Sequence, residues 1–299
     1  MTTPLKKGDT IGIAAPSSPF DKNLFKHGVA ALKKAGFEVY HREDIFSQER
    51  YLAGSDRRRA EELTELFLKT SVKAILFARG GYGAQRIIPH LSPELLKKHK
   101  KPVVGFSDIT PLLTFLTQKA GIPCVYGPVI TQLGNKPAPR TLSALLAILT
   151  GQEPYPEIDL SDCLIIKEGK GHGPLIGGCL SLIATSMGTP YELNMQKGIF
   201  FFEDTREKVY ALDRMLTQLK NAGKFSGVRG ILIGSLDPHE KETHSCEAML
   251  RDIFGDFQGP VVASFPAGHT NDFISLPLGI SVTLDTQSKK LLFDEALLK

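Results

Sequence analysis

"KPVVGFSDIT", Lys101 to Thr110, is the stretch on which the fold turns. Pro102-Val-Val-Gly-Phe106 reads as a buried strand, being short, β-branched and opened by a proline. Directly after it, Ile109, Leu112, Leu113 and Leu116 recur at helical spacing. A strand that passes into a helix within a few residues is the repeating step of a parallel α/β sheet. Ser107 stands at that corner and admits two readings. It is a helix N-cap, its oxygen accepting from an orphan backbone N–H, or it is a nucleophile on a tight elbow that lacks the familiar G-x-S-x-G.

Working outward, the same alternation repeats. Thr10–Ala15 reads as a strand, and Asp21 opens a helix that Gly36 closes. Phe37–His41 is a second strand, Asp56–Lys69 a helix, and Val72–Ala78 a third strand. Cys124–Tyr126 and a helix over Leu142–Leu149 follow. Continuous apolar strands between helices predict an open parallel sheet with helices on both faces. Residues 152–173 break the pattern with Gly, Pro and charge, which predicts a linker between a domain at 1–151 and a second at 174–299.

In the second half, Gly177-Gly178 reads as a helix start and Ile199–Phe202 as a strand. Arg206–Asn221 is a strong helix, followed by strands Gly230–Gly234 and Val261–Phe265 with a helix near Cys246–Phe254 between them. A closing pair near Ser281–Thr283 and Lys290–Phe293 looks like a hairpin, so the second sheet is expected to be mixed.

Composition narrows the function. A net charge of +4 spread along 299 residues is too small to argue for nucleic acid or a membrane surface. The densest basic cluster, Arg57-Arg58-Arg59, reads as a solvated helix face. No apolar run approaches a membrane span, and the N-terminus lacks a secretory apolar core. Four scattered cysteines, Cys124, Cys163, Cys179 and Cys246, have neither disulfide nor metal spacing and read as small buried hydrophobes. These features predict a cytoplasmic protein. "PHEKETH" sets His239 and His244 five apart, which is not H-E-x-x-H geometry, and no catalytic metal or other cofactor is expected.

Two further apolar strands end on functional residue types. "GIFFFEDT" runs into Glu203-Asp204 and "PVVASFPAGHTND" into Gly268-His269. Ligands gather at the carboxyl ends of strands in α/β sheets. A serine, a carboxylate and an imidazole are what acyl transfer to a hydroxyl requires: the imidazole takes the proton and the carboxylate fixes its tautomer. Each also has a structural reading, Glu203 as a helix cap and His269 as a hydrogen-bonded loop histidine. The loop "ARGGYGAQR", Ala78–Arg86, presents backbone N–H groups before a helix. It suits an oxyanion contact beside Ser107 or, as a rival, a phosphate cradle.

These motifs resemble the LD-carboxypeptidase family, serine peptidases that remove the terminal D-alanine of muropeptide tetrapeptides and that include the microcin C immunity peptidases. The resemblance runs through "GDTIGIAAPSSP", "YLAGSDRRRAEEL", "ARGGYGAQRIIP", "GFSDIT", "GPLIGGCLSLIATSMGTPYE", "FFFEDTREKVYALDRMLTQL" and "FPAGH…LPLG". It implies a Rossmann-like N-terminal domain, a smaller mixed α/β C-terminal domain and a homodimer. It also implies Ser107 as nucleophile, Glu203 as orienting carboxylate, His269 as base, and the N–H groups of Gly81 and Asp108 as oxyanion hole. Cys179 departs from the asparagine more usual after the double glycine. An exopeptidase further needs a group for the terminal carboxylate, and Arg79 and Arg86 are the candidates, each with an alternative as a structural ion pair. Two other functions stand beside muropeptide trimming: cleavage of a peptidyl-nucleotide antibiotic, and a non-catalytic phosphate-binding module built on the Gly80–Gly83 loop.

Overall fold

The computed structural model describes residues 2–152, 157–237 and 245–298. The strands are β1 (Thr10–Ala14), β2 (Glu38–Tyr40), β3 (Val72–Phe77), β4 (Val103–Gly105), β5 (Cys124–Tyr126), β6 (Ile158–Asp159) and β7 (Leu164–Lys167). They continue as β8 (Lys170–Cys179), β9 (Ile199–Thr205), β10 (Gly230–Asp237), β11 (Val261–Ala263), β12 (Leu276–Leu278), β13 (Ser281–Asp285) and β14 (Lys290–Phe293). They form two sheets in two compact units. The first unit holds the described residues through Gln152, Asn271–Pro277 and the chain end from Leu297; the second holds the described residues between, apart from those segments.

The first sheet runs β12-β5-β4-β3-β1-β2. Its five N-terminal strands are mutually parallel, so each connection needs a crossover, and helices supply it. Asp21 caps Lys22–Lys34 by accepting from the N–H groups of Asn23 and Leu24, and Ser55 caps Asp56–Leu68 through Arg58 N–H. The helix Thr110–Ala120 buries Leu112, Leu113 and Leu116 and ends on Gly121 in the left-handed region. The order 2-1-3-4-5 is that of a doubly wound sheet with its switch point between β1 and β3. The loops that leave β1 and β3 therefore border the natural crevice of this unit.

The second sheet is mixed, in the order β6-β14-β13-β8-β9-β10-β11-β7. Its centre, β8 to β11, is parallel. β7 joins one side and β13, β14 and β6 the other, all antiparallel. Phe200, Phe202, Ile231 and Ile233 pack with Leu212 and Leu216 of helix Val209–Asn221 and with Leu250 of helix Cys246–Ile253. No helix among the described residues is long and apolar enough to cross a membrane.

Several expectations change here. The stretch 152–173, expected as a linker, carries β6, β7 and the start of β8, so its described part is sheet. The first unit also recovers Asn271–Pro277 from the span assigned to the second domain, because β12 adds to the edge of its sheet. Gly177 and Gly178 lie inside β8 and do not start a helix; a side chain on Gly177 would meet the Phe201 carbonyl at 1.7 Å. The arginine cluster is not a solvated face. Only Arg57 is exposed; Arg58 is largely covered and Arg59 is fully buried.

Candidate active site

Ser107 follows β4 by two residues and opens the single 3-10 turn Ser107–Ile109 that leads into helix Thr110–Ala120. Its φ is 62°, in the left-handed region, where a residue with a Cβ is strained by about 1–2 kcal/mol. An N-cap residue has extended backbone. The caps of this turn and helix are Phe106 and Ile109, neither with a side-chain cap bond, so the cap reading of Ser107 fails. The Ser107 N–H donates to the Tyr126 hydroxyl at 3.2 Å. The Tyr126 ring is buried against Phe106 and Phe273.

The glycine loop lies against this corner. A methyl group on Gly80 would sit 3.2 Å from Ser107 Cβ and 3.4 Å from both Ser107 Oγ and the Asp108 amide nitrogen. Larger residues would push the loop off the serine, which explains the glycine physically. Gly81 adjoins that contact and abuts Ser18, whose Oγ accepts from Tyr82 N–H at 3.1 Å. The sequence-predicted group of Ser107, Gly81 and Asp108 is thus gathered within the first unit.

Glu203 and His269 are gathered within the second unit. Glu203 is the fifth residue of β9, not its terminal cap, and pairs in register with Cys179 at the end of β8. The following helix is capped at Lys208 instead. The Glu203 carboxylate is fully buried, and its Oε2 accepts the His269 backbone N–H at 3.1 Å and lies 2.7 Å from His269 Nδ1. With Nδ1–H donated to that oxygen, the lone pair for a proton resides on Nε2. Gly268, φ +105°, permits the approach: a Cβ there would lie 2.3 Å from Glu203 Oε2. Burial pulls the His269 pKa down, but the hydrogen bond and charge of Glu203, with Asp204 and Asp237 beyond, outweigh it and leave the pKa above the ordinary imidazole value.

The two candidate cations differ. Arg86 makes a bidentate ion pair with Asp56, at 2.9 and 2.6 Å. Arg79 is exposed and donates from Nη1 to the Pro19 carbonyl at 2.7 Å. Three of the thiols are held protonated: burial pushes Cys124 up to about 12, Cys163 up to about 11 and Cys179 well above the ordinary thiol range. Cys163 and Cys246 are only half-buried, against the expectation that all four are core. His239 and His244 lie outside the described residues.

Sequence reasoning named Asp108 for its N–H and missed its side chain, which accepts from Ser17 Oγ at 2.6 Å and Ala84 N–H at 2.9 Å. It also missed Tyr126, which carries no local signal, and Asp204, whose carboxyl accepts the Ser181 N–H at 2.7 Å at the start of helix Leu180–Thr185.

Comparison with known proteins places the chain. The LD-carboxypeptidase N-terminal domain matches residues 11–127 and the LD-carboxypeptidase C-terminal domain residues 172–284. The probable murein peptide carboxypeptidase of Bacillus subtilis (strain 168) is 34% identical, over 95% of this chain and 91% of its own. A solved structure of the microcin C7 self-immunity protein MccF, in complex with aspartyl sulfamoyl adenosine, matches with a TM-score of 0.91 at 26% identity, covering 100% of this chain and 99% of that one; the relative of that name is from Escherichia coli. The muramoyltetrapeptide carboxypeptidase from Oxalobacter formigenes matches with a TM-score of 0.83 at 27% identity, over 94% and 97% of the two chains. With both family domains matched in order, and a relative of that identity along nearly the whole length, the chain belongs to the LD-carboxypeptidase family.

Proposed function

We propose that this protein is a serine-type carboxypeptidase that hydrolyses the L–D amide bond of a muropeptide tetrapeptide and releases the terminal D-alanine. The observation that carries the chemistry is the buried Glu203 carboxylate 2.7 Å from His269 Nδ1, which holds one imidazole tautomer. The substrate class rests on the relatives named for murein peptides. Ser107 Oγ attacks the carbonyl carbon of the L-residue and His269 Nε2 takes its proton. The N–H groups of Gly81 and Asp108 receive the oxyanion, where losing one donor typically costs about 2.7–4 kcal/mol. His269 then protonates the leaving amine of D-alanine, and a water, deprotonated by the same nitrogen, releases the acyl group. Arg79, exposed beside the glycine loop, is the better cation for the terminal carboxylate, since Arg86 is committed to Asp56. The reading includes a homodimer, after the family, and a cytoplasmic setting, where cysteines outside any disulfide persist.

The test is incubation with the tetrapeptide and mass analysis for loss of one alanine. The same peptide ending in L-alanine should react far more slowly, because its methyl and carboxylate exchange places. EDTA should leave the rate unchanged, as a hydroxyl nucleophile with a histidine base needs no cation. Equal rates on both epimers would overturn the reading. The high structural similarity to MccF supports a second substrate class, a peptidyl- or aminoacyl-nucleotide, and incubation with aspartyl sulfamoyl adenosine followed by mass analysis for released aspartate tests it.

The pH profile has a determined sign. The base must be neutral, so kcat/KM should rise with pH through a midpoint above about 6.5, the ordinary imidazole value. Because the folded pKa is raised, the pair stabilises the fold most fully below the unfolded value and loses that contribution as pH rises through the folded one. Activity and this stabilisation therefore trade places in the same window. Glu203→Gln removes the larger upward influence and leaves burial opposed only by the charges of Asp204 and Asp237, so its midpoint should fall; an unchanged midpoint would separate His269 from the profile.

Gly268→Ala probes the same contact without touching an ionisable group. Its methyl would overlap the Glu203 carboxylate, with Cγ at 2.5 Å and Cδ at 2.6 Å. Displacing the carboxylate by about 1 Å should lower kcat by about 10²-fold. Wild-type turnover in this variant would mean that the Glu203–His269 contact is not used.

A further inference from the structure

Two buried side chains of opposite charge span the same pair of loops. Arg59, on helix Asp56–Leu68 and fully buried, donates from Nη1 to the carbonyls of Pro16 and Gly83, the latter at 2.8 Å, and from Nε to the Gly54 carbonyl at 3.3 Å. Its Nη2 pairs with Asp56. Asp108, also buried, accepts from Ser17 Oγ at 2.6 Å and Ala84 N–H at 2.9 Å, and the Gly83 N–H favours its charged form. The guanidinium thus holds the carbonyls at 16 and 83, and the carboxylate holds the donors one residue further on, at 17 and 84. One segment leaves β1 and the other leaves β3, while Asp108 itself stands just after β4.

Burying a guanidinium and a carboxyl is costly unless every donor and acceptor is met. Both groups are displaced toward their neutral forms by burial, which the surrounding bonds oppose. What the arrangement secures is the Gly80–Gly83 loop. That loop precedes only a four-residue helix, Ala84–Ile87, and Gly81 and Gly83 have positive φ. Nothing in its own sequence fixes it within a few tenths of an ångström, yet it runs so close to Ser107 that even a methyl group on Gly80 would crowd the serine.

We propose that Asp108 and Arg59 are positioning residues that clamp the glycine loop at the distance from Ser107 at which its N–H groups can receive a developing oxyanion. The proposal rests on the acyl-transfer reading for its kinetic consequence, and on geometry alone for the clamp. Asp108→Asn is the primary variant. Ser17 Oγ and Ala84 N–H share the Oδ2 atom; an amide can place an oxygen there, but it is neutral, a weaker acceptor, and sets an NH2 group where the other carboxylate oxygen stood.

The experiment measures kcat and KM on the tetrapeptide, the thermal midpoint, and hydrogen–deuterium exchange of the full chain followed by mass spectrometry. For Asp108→Asn, exchange at 80–84 should rise at least about tenfold with β3 unchanged, and kcat should fall about 10²-fold while KM stays within about threefold. Arg59→Lys keeps the charge but cannot reach the same carbonyls, and should reproduce the loop exchange even where its thermal midpoint drops. A merely structural role would instead lower the midpoint and raise exchange across β1, β3 and β4 together, with kcat per folded molecule unchanged. That outcome, or an unaltered loop, overturns the clamp. If the wild-type enzyme releases no alanine, the substrate reading fails, and the exchange data still decide the clamp.

Discussion

Ser107→Ala should reduce alanine release by on the order of 10⁶-fold, the loss seen when an acyl-transfer serine is removed from an otherwise intact site. Folding should survive. The side chain is half-buried at a corner, and alanine inherits the left-handed backbone that serine already tolerates, so the thermal midpoint should move little. A companion variant sharpens the point. Ser107→Gly should be equally inactive yet more stable than Ser107→Ala, by about 1 kcal/mol in urea denaturation, because glycine relieves the strain at φ 62°. A capping serine predicts the reverse, with little change in rate and a weakened helix. Near wild-type turnover in Ser107→Ala would remove the serine from the mechanism, whatever its geometry.

What could be read from the chain divides along a physical line. The five N-terminal strands of the first sheet and the corner at Ser107 were legible because each is encoded locally, by a short apolar run with helical spacing close to it, whereas the edge strand β12 was not. The proximity of Glu203 and His269 was legible only as a pattern, two apolar strands that end on the right residue types; the 2.7 Å contact depends on Gly268 and on the register of β9 with β8. Strands β6 and β7 were not legible. They are short, Ile-Asp and Leu-Ile-Ile-Lys, and lie in a stretch dominated by turn and charged residues, and they exist because β14 and β11, far along the chain, offer them edges.

Arg58 and Arg59 were misread for the related reason that a run of charge looks solvated unless its partners are known. Those partners, Asp44, Glu62 and the carbonyls of Pro16 and Gly83, come from four separate segments. The Asp108 side chain was overlooked because its neighbour Ser107 supplied the more familiar chemistry. Local rules thus locate the ends of strands, while the polar network that fixes the loops there is a property of the packed unit.

The Glu203–His269 pair should behave as one device when it is taken apart. His269→Ala should cost about as much rate as Ser107→Ala, since without a base the hydroxyl keeps its proton. Glu203→Ala should cost somewhat less, on the order of 10⁴-fold, because the imidazole persists but loses its fixed tautomer. Combining the two should add almost nothing to His269→Ala alone: a carboxylate whose task is to orient an imidazole has none once the ring is gone. The non-additivity is the measurement that matters, because independent sites give ΔΔG‡ values that sum within about 0.3–0.5 kcal/mol. Stability offers a second, opposite reading of the same cycle. Glu203 is fully buried and also accepts the His269 backbone N–H, so His269→Ala leaves a buried carboxylate without its ring partner and should destabilise the fold more at pH 5, where the ring is charged in the wild type, than at pH 9. Rate losses that simply add, together with a destabilisation that ignores pH, would mean that the contact seen between the two side chains serves neither catalysis nor the ionic pairing inferred from it.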